Sequence, residues 1–165
     1  MTLRSASELP NVGEIIGRAL QRVSQRERPL LIASAERLAA LRYRAWADHP
    51  ACAAHAAQLR ACAAREEEIA GRVESLYPGA SATQQELLAS NPDLEELNRS
   101  LFAGRPLDQQ FRMQAQGERL GAATWRALAQ HAESAATRET LLACAELEEA
   151  SALVLESILA PKPTA

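Results

Sequence analysis

Residues 33–76 and 115–158 are one segment written twice, 82 positions apart and without a gap, with 20 of the 44 aligned positions identical. Glu36-Arg37-Leu38-Ala39-Ala40 returns as Glu118-Arg119-Leu120-Gly121-Ala122, and Cys62-Ala63-Ala64-Arg65-Glu66-Glu67 as Cys144-Ala145-Glu146-Leu147-Glu148-Glu149. Each copy holds two helical stretches. Two equivalent hairpins of this size predict a pseudo-symmetric four-helix object. The duplication also places a glutamate on every helix.

A chain of 165 residues is expected to form a single domain that buries roughly 70% of its unfolded surface. Alanine and leucine dominate, glycine is scarce and only six residues are Phe, Trp or Tyr, a mixture that favours helix over sheet. The net charge of -3, with acids and bases interleaved, leaves no footprint for nucleic acid or an anionic membrane. No uncharged apolar run approaches membrane-spanning length, and Met1 to Ser7 lacks the apolar core of a signal peptide. Cys52, Cys62 and Cys144 are an odd set without Cys-x-x-Cys spacing, against a zinc ribbon or a secreted disulfide scaffold. A cytoplasmic location is the expectation. Gly-rich phosphate loops, nucleophile elbows and cysteine–histidine pairings for nucleophilic catalysis are not visible.

Residues 1–29 form an N-terminal helical extension, with an amphipathic helix from Asn11 to about Arg26 whose stripe is Val12, Ile15, Ile16 and Leu20. That stripe needs cover on the outside of the bundle or against a second subunit, and a homo-oligomer is the expected state. The first hairpin occupies 30–77, with helices from about Leu30 to Asp48 and from Ala51 to Leu76. Residues 78–106 are a crossover, with a capping box at Ser81-Ala82-Thr83-Gln84 and a second start at Asn91-Pro92-Asp93. The second hairpin occupies 107–160, with helices from Leu107 to Gln130 and from Ser134 to Leu159.

Each main helix has an apolar seam with one glutamate in its middle. Leu59, Cys62, Glu66, Ile69 and Val73 form one seam, and Leu141, Cys144, Glu148, Ser151 and Leu155 its copy. Ile32, Glu36, Ala39, Tyr43 and Trp46 correspond to Gln114, Glu118, Gly121, Trp125 and Leu128. Four such seams direct Glu36, Glu66, Glu118 and Glu148 toward one central layer. Unpaired carboxylates there cost several kcal/mol each, so protons, water or cations must relieve them. A rotated bundle that leaves the glutamates at solvated helix edges is the competing arrangement.

The Glu36-Ala39-Tyr43 pattern, Glu146-Leu147-Glu148-Glu149-Ala150-Ser151 with Leu155-Glu156, and Tyr77-Pro78-Gly79 after the second helix together resemble bacterioferritin and rubrerythrin. The resemblance spans about Leu31 to Leu159. It implies an all-α, ferritin-like bundle of two hairpins joined by one long crossover, with Glu36, Glu66, Glu118 and Glu148 as ligands of one or two divalent metals, Fe or Mn. It further implies that Tyr43 bonds Glu118 and Trp125 bonds Glu36 across the hairpins; alternatively both rings only fill the core. Where the family carries Glu-x-x-His, this chain has Ile69 and Ser151. His49, His55 and His131 belong to the hairpin turns, where capping is the ordinary role. An all-oxygen ligand set favours harder ions such as manganese or magnesium. Cys62 and Cys144, one turn from Glu66 and Glu148, are placed to approach one another as thiol ligands or a redox pair, or to serve as small core residues. Haem is not expected, because neither Met1 nor Met113 matches a ligand position. Two functions follow as expectations: metal-dependent oxidase, peroxidase or metal-handling chemistry, or a non-catalytic scaffold that has lost its metal.

Overall fold

The computed structural model describes residues 9–161, and these are helical throughout, without a β-strand. Helix α1 (Val12–Leu20) leads into α2 (Arg28–Asp48), a 3-10 helix (Pro50–His55) and α3 (Ala56–Glu74). The crossover carries α4 (Ala80–Ser90) and α5 (Asp93–Phe102), and α6 (Leu107–Gln130) and α7 (Ala135–Leu159) complete the chain. None of the described helices is long and apolar enough to cross a membrane.

Local chemistry sets most of these boundaries. Asn11 caps α1 by accepting from the Glu14 amide at 3.1 Å, and Ser134 caps α7 by accepting from the Thr137 amide at 3.1 Å. Pro29 sits in the first turn of α2, where a missing N–H costs nothing. The amphipathic segment after Asn11 ends at Leu20, earlier than its periodicity suggests, because Val23 turns inward against Leu30, Leu31 and Leu87. The expected long second helix starts as a 3-10 turn: Pro50 opens it and His49 Nδ1 accepts from the Ala51 amide at 3.1 Å. The expected capping box does not form. Helix α4 begins at Ala80 after Gly79 at φ +73°, and Gln84 instead donates to the Leu30 carbonyl and to Glu74.

Helices α2 and α3 pair as one antiparallel hairpin and α6 and α7 as the other, joined chiefly through α3 against α7. The duplication extends to the surface contacts that hold each hairpin in register. Arg37 clasps Glu74 with two bonds of 2.9 and 2.5 Å, and its repeat equivalent Arg119 clasps Glu156 at 2.9 and 2.7 Å. Arg44 meets Glu67 at 3.0 Å, and Arg126 meets Glu149 at 2.7 Å. Exposed pairs of this kind contribute about 0.2–1 kcal/mol each, so they align the helices more than they stabilise them.

Two apolar clusters fix the direction of each helix. One gathers Tyr43 and Trp46 from the end of α2 with Leu59 and Cys62 from the start of α3, Phe111 and Met113 from the start of α6, and Leu155 near the end of α7. The other gathers Ala33, Ile69, Val73, Trp125, Leu141 and Cys144 from the opposite ends of the same helices. Helix α3 is therefore antiparallel to α7, α2 is antiparallel to α6, and the crossover runs the length of the bundle. Helix α1 lies outside the hairpin seams, against α6. Val12 is buried there, and Ile15, Ile16 and Leu20 are half-buried.

Candidate functional site

Between the two apolar clusters lies a layer of carboxylates. Glu66, Glu118 and Glu148 are at most 1% exposed and Glu36 is 9% exposed. No glutamate of the four turns out to solvent, so the solvated-edge arrangement does not occur. Ligand oxygens of Glu36 from α2, Glu66 from α3 and Glu148 from α7 all lie within 4.8 Å of one another. Glu118 stands beside this trio, turned toward a separate set of partners.

Those partners come from α2 and from α6 itself. Glu118 Oε1 accepts from the Tyr43 hydroxyl at 2.6 Å and from the Gln114 amide at 2.7 Å. Arg42 Nε donates to Gln114 Oε1 at 3.0 Å, which fixes the amide with its N–H toward Glu118. Arg42 also donates to Asn98 Oδ1 of α5 at 2.8 Å and lies 3.8 Å over the Phe102 ring. Burial brings this guanidinium down to about 10. Burial and the neighbouring Glu118 charge push the Tyr43 phenol up, so it remains a donor. The Tyr43–Glu118 bond across the hairpins is the one that the resemblance implied.

The copy behaves differently. Trp125 Nε1 donates to Glu148 Oε1 at 2.8 Å, within its own hairpin, and not to Glu36. Gly121 makes room for this placement: the Glu148 carboxyl rests against α6, beside the indole, in the space that a Cβ at Gly121 would need. Ala39 occupies the equivalent position on α2. Glu66 instead accepts from the Ser151 hydroxyl at 2.9 Å, one of the two residues that stand where the resembling family has histidine.

Burial dominates the electrostatics. It raises Glu36 to about 7, helped by the Glu118 charge and opposed by hydrogen bonds from Glu66 and Glu148. Burial, then the charges of Glu118 and Glu36, hold Glu66 well above the ordinary carboxylate range, and the same two neighbours act on Glu148. Both groups thus favour the protonated form more than a free carboxyl does, and close carboxyls of this kind titrate as a coupled set. Among the described residues, Glu66 Oε2 and Glu118 Oε2 are buried and receive no hydrogen bond from a donor side chain or amide.

The cysteines do not meet. Because α3 and α7 are antiparallel, one turn back from Glu66 leads to one apolar cluster and one turn back from Glu148 to the other. Both thiols are free and buried, burial pushes each up, and Cys144 reaches about 11. Each packs as a small side chain in its own apolar cluster. Arg42 was invisible to a reading based on the repeat, since its equivalent is Thr124; Gln114 and Gly121 stood in the seams without an assigned role.

A cleft of about 170 Å3 opens between α2 and α6, walled by α1 and α5, and reaches Glu36, Glu118 and Glu148. Comparisons with protein families, with curated proteins and with solved structures found no match to this chain.

Proposed function

We propose that this chain is a divergent ferritin-like protein, similar to bacterioferritin and rubrerythrin, whose glutamate layer holds a divalent cation. The observation that carries the reading is the buried trio of Glu36, Glu66 and Glu148 within 4.8 Å, drawn from three helices. The partnerless oxygens of Glu66 and Glu118 supply further acceptors, which buried groups rarely leave unused. An oxygen-only set suits Mn2+ or Mg2+ and holds Fe2+ less firmly. Glu36, Glu66 and Glu148 would hold the ion, and Glu118, held by Tyr43 and Gln114, would add a fourth carboxylate to the charge balance. When bound, a redox-active ion supplies oxidase- or peroxidase-type chemistry. The chain's own part is to shed the protons of Glu66 and Glu148 as the cation enters and to keep Tyr43 and Trp125 as fixed donors.

A second reading is favoured by Ile69 and Ser151 at the positions of the family's histidines. Here the layer is a proton-shared polar core and the bundle a non-catalytic scaffold. Metal analysis of protein purified without chelators, with calorimetric titration of Mn2+ and anaerobic Fe2+, separates the two. The metal reading expects a stoichiometric ion, tighter binding as pH rises through 7, and loss of both in Glu66→Ala/Glu148→Ala. Absence of binding heat in the folded wild-type chain leaves the scaffold.

A further inference from the structure

The cleft over the glutamate layer is poorly suited to a hydrated ion and well suited to an organic molecule. Its walls are Ile16, Leu38, Leu97 and Leu120 and their apolar neighbours, and its floor is Glu36 and Glu118. Helices α2 and α6 would close over the layer if they packed as α3 and α7 do, yet they stand apart. Gly117 lines the cleft, and a Cβ built there would meet nothing within 4 Å, so the space beside it is open. A glycine inside a helix costs about 1 kcal/mol relative to alanine, and Gly117 lies well within α6, where no turn calls for one. Its repeat equivalent is Ala35.

At the floor, Glu118 is 1% exposed and its Oε2 receives no hydrogen bond among the described residues. Glu36 beside it is the most accessible carboxyl of the layer. The floor therefore offers carboxylate acceptors, and Arg42, the cation that lines the cleft among the described residues, already donates to Gln114 and Asn98. An apolar cavity of about 150 Å3 holds a benzene-sized molecule, so about 170 Å3 accepts a six-carbon chain or ring with one polar end.

We infer that the cleft between α2 and α6 binds a small organic amine, its hydrocarbon body against α1 and α6 and its ammonium on Glu36 and Glu118. A charged donor is about twice as strong a partner for a carboxylate as a neutral one, which sets the expected preference. The inference concerns the metal-free protein, because an ion held by Glu36 and an ammonium on the same carboxyl would compete.

The test is calorimetric titration of the full chain in EDTA at pH 7.5 with n-hexylamine, n-hexanol and n-hexanoate. Hexylamine should bind at least about tenfold more tightly than hexanol, and hexanoate should not bind. Gly117→Phe, which fills open space, should abolish amine binding while helical circular dichroism is unchanged. Glu118→Gln, which keeps the shape of the floor, should bring amine and alcohol to equal affinity. Equal binding of all three probes, no binding of the amine, or undiminished amine binding in folded Gly117→Phe overturns the assignment. If Gly117→Phe does not fold, the Glu118→Gln comparison decides alone.

Discussion

Gly121 and Ala39 are equivalent residues of the repeat, yet the glutamates beside them differ in partner. At Gly121 the Glu148 carboxyl occupies the space a Cβ would need and takes the Trp125 N–H. In the other hairpin Glu66 accepts from Ser151, whose own equivalent, Ile69, has no hydroxyl to offer Glu148. Gly121→Ala should gain helix propensity and still destabilise the protein, because it drives a buried carboxyl off its donor. A loss of about 1–3 kcal/mol is expected, read by urea unfolding, with a change in tryptophan emission from Trp125. Unchanged or higher stability would mean that Glu148 has another resting place. Tyr43 escapes this constraint because its hydroxyl stands farther from its backbone than an indole nitrogen does, and so reaches the opposite hairpin.

Among elements, α5 has the least to hold it. Phe102 is its buried residue, and Arg42 of α2 secures it by donating to Asn98 and lying over the Phe102 ring. The same guanidinium orients Gln114 on α6, so one side chain connects three helices. Arg42→Leu preserves apolar volume but leaves the Gln114 and Asn98 carbonyls without their donor. The expected cost is about 1–3 kcal/mol. Limited proteolysis should move to the segment 91–106, and hydrogen exchange should rise in α5 before it rises in α3 or α7. Equal protection across the chain in that variant would show that α5 is held by its apolar contacts alone.

For the whole molecule, the glutamate layer makes stability depend on pH in a direction opposite to that of most proteins. Glu36 has a folded pKa of about 7, above the ordinary 4.5, so the native state binds more protons than the unfolded chain. Its contribution is fully present below pH 4.5 and is lost as pH rises to about 7, by about 3 kcal/mol at 1.36 kcal/mol per unit. Glu66 and Glu148 are also raised by burial and by the neighbouring carboxylates, and so act in the same direction. In EDTA the urea midpoint should therefore fall from pH 5 to pH 8, and Glu66→Gln/Glu148→Gln should flatten the slope. A midpoint that rises over this interval would show the layer ionised and otherwise compensated.

What the sequence determined by itself was whatever depends on short-range order: the main helices, starting near Asn11 and Ser134 among other places, and the seams that bury one glutamate each. Helix α6 runs from Leu107 to Gln130 as its period implies, because repeat spacing and terminal residues act within a few positions of the chain. The repeat also carries its own ion pairs, Arg37–Glu74 and Arg119–Glu156, since both partners lie in one hairpin. The tertiary structure alone decided which helices touch, in what direction and at what distance. Antiparallel packing of α3 and α7 drew Cys62 and Cys144 apart. Separation of α2 from α6 opened the cleft, and Arg42 found partners 56 and 72 residues away. Periodicity assigns a side chain to one face of its own helix; its neighbour across the bundle is set by packing between helices, which no single helix encodes.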